Sequence, residues 1–553
     1  MGQTRDGVGR RGLLTAGTVG GVMAAVAPGA ASAKPGGGGR ATRLSTPANA
    51  IVETRAGMVR GAVRDGVFTF KGIPYAKDTG GTERFLPAQP MTPWKGVRTA
   101  LGYGPCCPQV ARGGWRSDET AFIYDWDDGY PGEDCLRLNV WSAGLTGKPR
   151  PVMFWIHGGG YETGSSQELP AYDGARLARR GDLVFVSVNH RLGPFGFLDL
   201  SQLGGGKYGL SGNVGQLDLV TALEWVRDNI VAFGGDPGNV TIFGQSGGGA
   251  KVSTLMAMPG ANGLFHKAIV ESGSLLAVGD TSYTRRLAEA VLKNLDLGPG
   301  DIDKLAKVPP MALVAAADKA KNGMPKGPAG TINLGWAPVV DGQAIPAPTW
   351  AGGAPPLSAN VPMIIGTNLN ELSPSLGNPA AEDMDEAKGQ ALAAGAGAPS
   401  GAWAVFRAAD PKAKPVEIAS RIVSARFRVP AVRQAQLKAK QGGGPAYLYR
   451  FDYNPKTVLD GRVRAFHCAE MAYAFDNVDR CLNATGGTPE ARALSAKMAD
   501  AWIAFARTGN PNHLGLAHWP AVTAGATPSM LFDTVCTVRE DPDRAERAAL
   551  TPA

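Results

Sequence analysis

The chain is poor in charge, in clustered basic residues and in long apolar runs, and each shortage removes a class of protein. Charged residues make up 19% of its 553 positions. That is below the roughly 25% of an average soluble domain, which argues against a coiled coil or a charge-driven disordered chain. The net charge is +8, yet the doublets Arg10-Arg11, Arg179-Arg180 and Arg285-Arg286 stand isolated, with no interleaved aromatics. No nucleic-acid partner is therefore expected. No stretch rivals a ~20-residue apolar helix, so no membrane anchor is expected either. The absence of a repeat with a period of about 20–50 residues excludes a solenoid or propeller. Six cysteines (Cys106, Cys107, Cys135, Cys468, Cys481, Cys536) show no C-x-x-C spacing, and neither a metal nor another cofactor is expected.

What is abundant is glycine, 76 residues, together with 41 prolines, the composition of a large loop-rich enzyme. Residues 1–33 resemble a twin-arginine export signal: Arg10-Arg11, a mild apolar stretch, then Ala31-Ser32-Ala33 as a cleavage site. Export makes the expected location secreted or periplasmic and permits disulfides. A Gly-rich linker is read over 34–48, one domain over 49–540 and a tail over 541–553.

Within the domain, short β-branched runs alternate with amphipathic stretches. Pro151–Ile156, Leu183–Val188, Val240–Phe243, Ala268–Val270 and Pro362–Ile365 read as buried strands. Gln216–Phe233 and Glu490–Arg507 read as helices, the first closed by Gly234-Gly235-Asp236-Pro237. The pattern predicts an α/β fold with a mostly parallel central sheet, helices on both faces and large helical or loop insertions, 379–400 among them.

Gly244-Gln245-Ser246-Gly247-Gly248 sits between the Val240–Phe243 strand and a helix-like run. This is the strand–turn–helix context of a nucleophile elbow, whose strained turn excludes flanking side chains. His157-Gly158-Gly159-Gly160-Tyr161 follows an upstream strand, where a glycine run can turn backbone N–H groups toward an oxyanion. In this layout the acid and then the base follow the serine. Of six histidines, His157 and His190 precede Ser246 and His266 is only twenty residues beyond it. His513 and His518 fall in a loop, which leaves His467. For the acid, Glu371 follows the Pro362–Ile365 strand, with Asp341, Asp383 and Asp476 as rivals.

Taken together, these motifs resemble the type-B carboxylesterases, the α/β-hydrolase family of cholinesterases and bacterial para-nitrobenzyl esterases. The likeness also rests on Phe70-Lys71-Gly72-Ile73-Pro74-Tyr75-Ala76, Glu133-Asp134-Cys135-Leu136, Asn189-His190-Arg191-Leu192-Gly193 and Phe265 to Ser274. It implies Ser246 as nucleophile, Glu371 as acid and His467 as base, with Gly159, Gly160 and Gly247 donating to the oxyanion. It further implies a Cys107–Cys135 disulfide, a Glu133–Arg191 ion pair, and Ser272 supporting the acid. A second bridge, Cys468–Cys481, is expected to pin the loop bearing His467. Gln245 and Gly247 replace the family's usual Glu and Ala, changes expected to touch no reacting side chain. Leu372-Ser373-Pro374 lacks the aromatics of a choline site. The expected activity is carboxylic-ester hydrolysis through an acyl-enzyme on a small-molecule ester, by a monomer. The alternatives are an acyltransferase with the same triad and a non-catalytic adhesion-like protein.

Overall fold

Alternation along each central strand decides the architecture, because neighbouring side chains point to opposite faces and both faces are apolar. In Arg150–Ile156, Val152, Phe154 and Ile156 join one buried cluster. Met153 and Trp155 join another on the opposite face. A strand apolar on both faces has to be covered twice.

The computed structural model describes residues 44–110, 118–325 and 335–550. The expected export signal, the linker up to residue 43 and Trp115 lie outside the described residues. The main sheet has 12 strands. In chain order they are β1 (Leu44–Ser45), β2 (Ala62–Arg64), β3 (Val67–Pro74), β4 (Arg137–Ser142), β5 (Arg150–Ile156) and β6 (Val184–Val188). Then come β7 (Gly235–Gln245), β8 (Lys267–Glu271), β9 (Met363–Asn368), β10 (Ala446–Phe451), β11 (Pro528–Phe532) and β12 (Thr537–Glu540). Their spatial order is β1-β2-β3-β4-β6-β5-β7-β8-β9-β10-β11-β12. Every pairing from β6 to β11 is parallel, and antiparallel strands finish both edges.

Helices cover the two faces, the two read from the sequence among them. Helix α1 (Val214–Asn229) buries Leu219, Val220, Leu223 and Val226 in the first cluster and ends through a short 3-10 turn at Gly234, φ 80°. Helix α2 (Gly247–Leu255) leaves the end of β7. The 27-residue α3 (Pro415–Gln441), with Pro430 inside it, packs along β9 and β10. Helix α4 (Pro489–Thr508) sends Leu494, Met498, Trp502 and Phe505 into the second cluster and stops at Gly509, φ 79°. The C-terminal stretch read as a tail is tied to this body. Arg544–Ala548 forms α5, and Asp543 pairs with Arg428 of α3 at 2.9 Å in a buried contact.

Candidate active site

Parallel strands in register bring their carboxyl ends to one edge, and four of them carry the expected residues there. His157 directly follows β5, Ser246 follows β7, Glu371 lies three residues past β9, and His467 comes from the loop after β10. Gly244 lies opposite Ile156, Gln245 opposite Glu271, and Glu271 opposite Gly366. The chain order of motifs thus becomes a lateral row.

Ser246 adopts φ 56°, ψ −122°, a backbone state costly for a side chain with a Cβ and held only by its surroundings. Its N–H donates to Glu271 O at 2.8 Å, and its carbonyl accepts from Ala250 N at 3.0 Å, so strand and helix both clamp the turn. The 157–160 glycine loop crosses directly over the elbow. A Cβ on Gly247 would stand 2.2 Å from Gly160 O and 2.4 Å from Gly160 N, so glycine is required by close approach. Gly159 (φ 84°) and Gly160 (φ 64°) take conformations that favour glycine. The buried Lys251 of α2 donates to His157 O at 3.2 Å and ties the loop to the elbow's helix.

Glu371 has no exposed side-chain surface, and its Oε2 lies 2.6 Å from His467 Nδ1. Its Oε1 accepts from Asn368 N at 2.8 Å. Burial pushes the His467 pKa down, but the hydrogen bond and charge of Glu371, helped by Glu470, outweigh it and leave the pKa above its ordinary value. The ring is packed by Phe427, centroids 5.0 Å apart, and Tyr124 Oη donates to the His467 carbonyl at 2.8 Å. The ring nitrogens meet Glu371 and Gln245; among the described residues no hydrogen bond joins them to Ser246 Oγ. Apo catalytic contacts commonly tighten only when substrate is bound. Of the alternatives, Asp341 accepts from Asn213 and its own loop, Asp476 faces Arg180, and His513 faces Lys497 O.

Several expectations are corrected. Glu133 is gripped by Arg84, Nε to Oε1 at 2.6 Å and Nη2 to Oε2 at 2.8 Å. Arg191 pairs instead with Asp218 of α1, at 2.6 and 2.8 Å. The two pairs meet where Arg191 Nη1 donates to Arg84 O at 3.2 Å. Ser272 does not bond Glu371: its Oγ is buried without a hydrogen-bond partner, and its backbone is held to Gly366 O at 2.8 Å. No disulfide is found among the described residues, so neither expected bridge, Cys107–Cys135 or Cys468–Cys481, is formed in this structure. Cys107 and Cys135 are nonetheless buried neighbours, the hydrogen bond to Cys107 and then burial raising the Cys135 thiol. Cys468 Sγ donates to Gln245 Oε1 at 3.2 Å, and burial pushes the Cys481 thiol up to about 12. Both line a cavity of about 220 Å³.

Gln245 was expected to touch no reacting group, yet its Nε2 lies 3.3 Å from His467 Nε2 and 3.4 Å from Nδ1. Near-equal distances to both nitrogens place the amide over the ring face, since an in-plane approach would collide with Cε1. Its position inside the elbow was the only available signal. Behind Glu371, Asn368 Nδ2 donates to Glu470 Oε2 at 2.5 Å, and Trp502 Nε1 donates to Glu271 Oε1 at 2.7 Å. Burial raises the pKa of both Glu271 and Glu470, each adding to the effect of neighbouring carboxylates.

A parallel sheet with a glycine-flanked serine, a crossing glycine loop and a His–Glu pair at one edge defines an α/β-hydrolase of the serine type. The model of the carboxylesterase family matches residues 48–398 and 402–549. The chain is 36% identical to para-nitrobenzyl esterase of Bacillus subtilis over 510 residues, 91% of this chain and 99% of that one. It is 35% identical to phenmedipham hydrolase of Pseudarthrobacter oxydans, covering 86% and 93% of the two chains. Among solved structures, an esterase of Clostridium hathewayi described as hydrolysing aliphatic aromatic polyesters aligns with TM-score 0.77 at 36% identity, covering 92% and 99%. A Geobacillus stearothermophilus carboxylesterase aligns with TM-score 0.76 at 36% identity, covering 91% and 100%. The chain belongs to the carboxylesterase family. It is a serine ester hydrolase.

Proposed function

We propose that Ser246, His467 and Glu371 are the catalytic triad of this hydrolase, and that Gly159, Gly160 and Gly247 form its oxyanion hole. The observation that carries the reading is the 2.6 Å contact between His467 Nδ1 and Glu371 Oε2. It supports a ring whose Nδ1 keeps its proton and whose Nε2 accepts one. His467 Nε2 takes the Ser246 proton as Oγ attacks the ester carbonyl. The three backbone N–H groups receive the developing oxyanion. Collapse breaks the bond to the alcohol oxygen, which leaves with the proton from His467. Water, deprotonated by the same imidazole, then releases the acid and restores Ser246.

The substrates proposed are small alkyl and aryl esters. A cavity of about 810 Å³ reaching Glu371 and His467 is walled largely by apolar residues, among them Leu372, Leu376, Leu392 and Val423, which suits the hydrocarbon part of such an ester. The site of action proposed is outside the inner membrane, on the strength of Arg10-Arg11 and Ala31-Ser32-Ala33.

The test is stoichiometric labelling with a p-nitrophenyl phosphonate followed by peptide mass mapping, beside Ser246→Ala. The phosphonyl group is expected on Ser246, and the variant should lose on the order of 10⁶ in turnover. A label on another residue, or near-wild-type turnover, would overturn the assignment.

A further inference from the structure

Helix α3 brings two neighbours to the site: Phe427, packed on the His467 ring, and Arg426 beside it. Two cavities meet along Ala396, Val423 and Arg426, residues that line both. One, about 810 Å³, reaches Glu371 and His467. The other, about 460 Å³, is walled by Ser274, Leu275, Leu276 and Val429.

Apart from His467, Arg426 is the one basic side chain among the described residues lining this double cavity. Its hydrogen bond runs from Nε to Val423 O at 2.9 Å, one turn back on its own helix. Four other arginines in this part of the fold have acids: Arg421 with Asp410, Arg428 with Asp543, Arg462 with Glu119 and Arg464 with Glu382. Arg426 has no such pair among the described residues, and burial lowers its pKa with no neighbouring acid to offset it. The one carboxylate in the walls, Glu371, is fully buried and committed to His467 and Asn368. A guanidinium stripped of part of its water, with its fork free, is a geometric match for a carboxylate supplied by a ligand.

We propose that Arg426 is a specificity-determining residue that binds a free carboxylate of the substrate, directing the enzyme toward esters that carry a carboxylate remote from the scissile bond. These are monoesters of dicarboxylic acids, with the anion on the acyl half, or acyl esters of hydroxy acids, with it on the alcohol half. The proposal rests on the ester-hydrolase reading.

The test compares chain-matched charged and neutral esters: monoethyl adipate against ethyl hexanoate for the acyl half, and 4-acetoxybutanoate against butyl acetate for the alcohol half. In Arg426→Gln the charged-to-neutral ratio of kcat/KM is expected to fall at least tenfold for one of the pairs, with the loss in KM, and that pair identifies the half that carries the anion. Arg426→Lys, which keeps the charge without the fork, should fall between. Free adipate should inhibit the wild type competitively, more strongly than adipamide, a measurement that needs no variant. Ratios within twofold of wild type for both pairs, or equal inhibition by adipate and adipamide, would overturn the proposal. Absence of hydrolysis of the neutral esters by the wild type would instead overturn the ester-hydrolase reading.

Discussion

Gln245→Glu puts a carboxylate where an amide now lies 3.3–3.4 Å from both nitrogens of His467. At an effective dielectric of about 20, two unit charges about 4 Å apart interact by ~4 kcal/mol. Most of that is opposed here. Glu371 and Glu470 already act on the ring, and the new acid must ionise in a buried place beside them. A net rise of about one pKa unit in His467, about 1.4 kcal/mol, is the expected balance. The ring works as a base only when neutral, and its pKa already lies above the ordinary value. A further rise moves the acid limb of kcat/KM to higher pH. At about pH 6 the variant should be slower by roughly tenfold, one pKa unit of protonation, and should converge on wild type as the pH climbs. The Cys468 thiol keeps its acceptor in the new side chain, which favours a folded variant. The assay is a pH profile of kcat/KM on a p-nitrophenyl ester, with the thermal melt as a fold control. An acid limb displaced by less than about 0.3 units, or displaced downward, would refute the claim that this position controls the base.

Glu371→Gln should leave almost no turnover, whereas Asp341→Asn, which loosens only a loop anchored to Asn213, should keep per-molecule activity within a few-fold. Equal damage from the two, with both folded, would mean the acid is misassigned. Asp218→Asn strips the counter-charge from Arg191, whose side chain is 2% exposed, and urea titration should show a loss of about 3–5 kcal/mol. A loss below about 1 kcal/mol would show that this buried pair is not a major contributor. Glu271→Gln tests the buried acids. Because burial raises the folded-state pKa of Glu271, the wild type loses stability as pH rises from the unfolded carboxylate pKa through the folded one. The neutral variant escapes that loss, so its melting temperature relative to wild type should climb between about pH 5 and pH 9. A constant difference would mean that Glu271 does not titrate in this range.

The linear chain determined which residues could do chemistry and in what order. An elbow needs glycines around its serine, an oxyanion loop needs glycines after a strand, and a parallel sheet then delivers both to one edge. Ser246, the 157–160 loop and the helices ending at Gly234 and Gly509 were legible for those local reasons. Glu371 and His467 were legible by chain order, elimination and resemblance, but their 2.6 Å contact joins residues 96 positions apart, which no local rule reports. Tertiary structure alone decided the pairings. Two arginines and two acids near one another can pair in more than one way, and the position of α1 gave Arg191 to Asp218 and left Glu133 to Arg84. Elbow geometry aimed Gln245 at the imidazole, and Glu271, Asn368 and Glu470 became one buried group only when β8, β9 and the loop after β10 met. Arg426 looks in sequence like any of its neighbours on α3. It differs from Arg421 and Arg428 because packing gave each of those an acid and left this one lining the cavity.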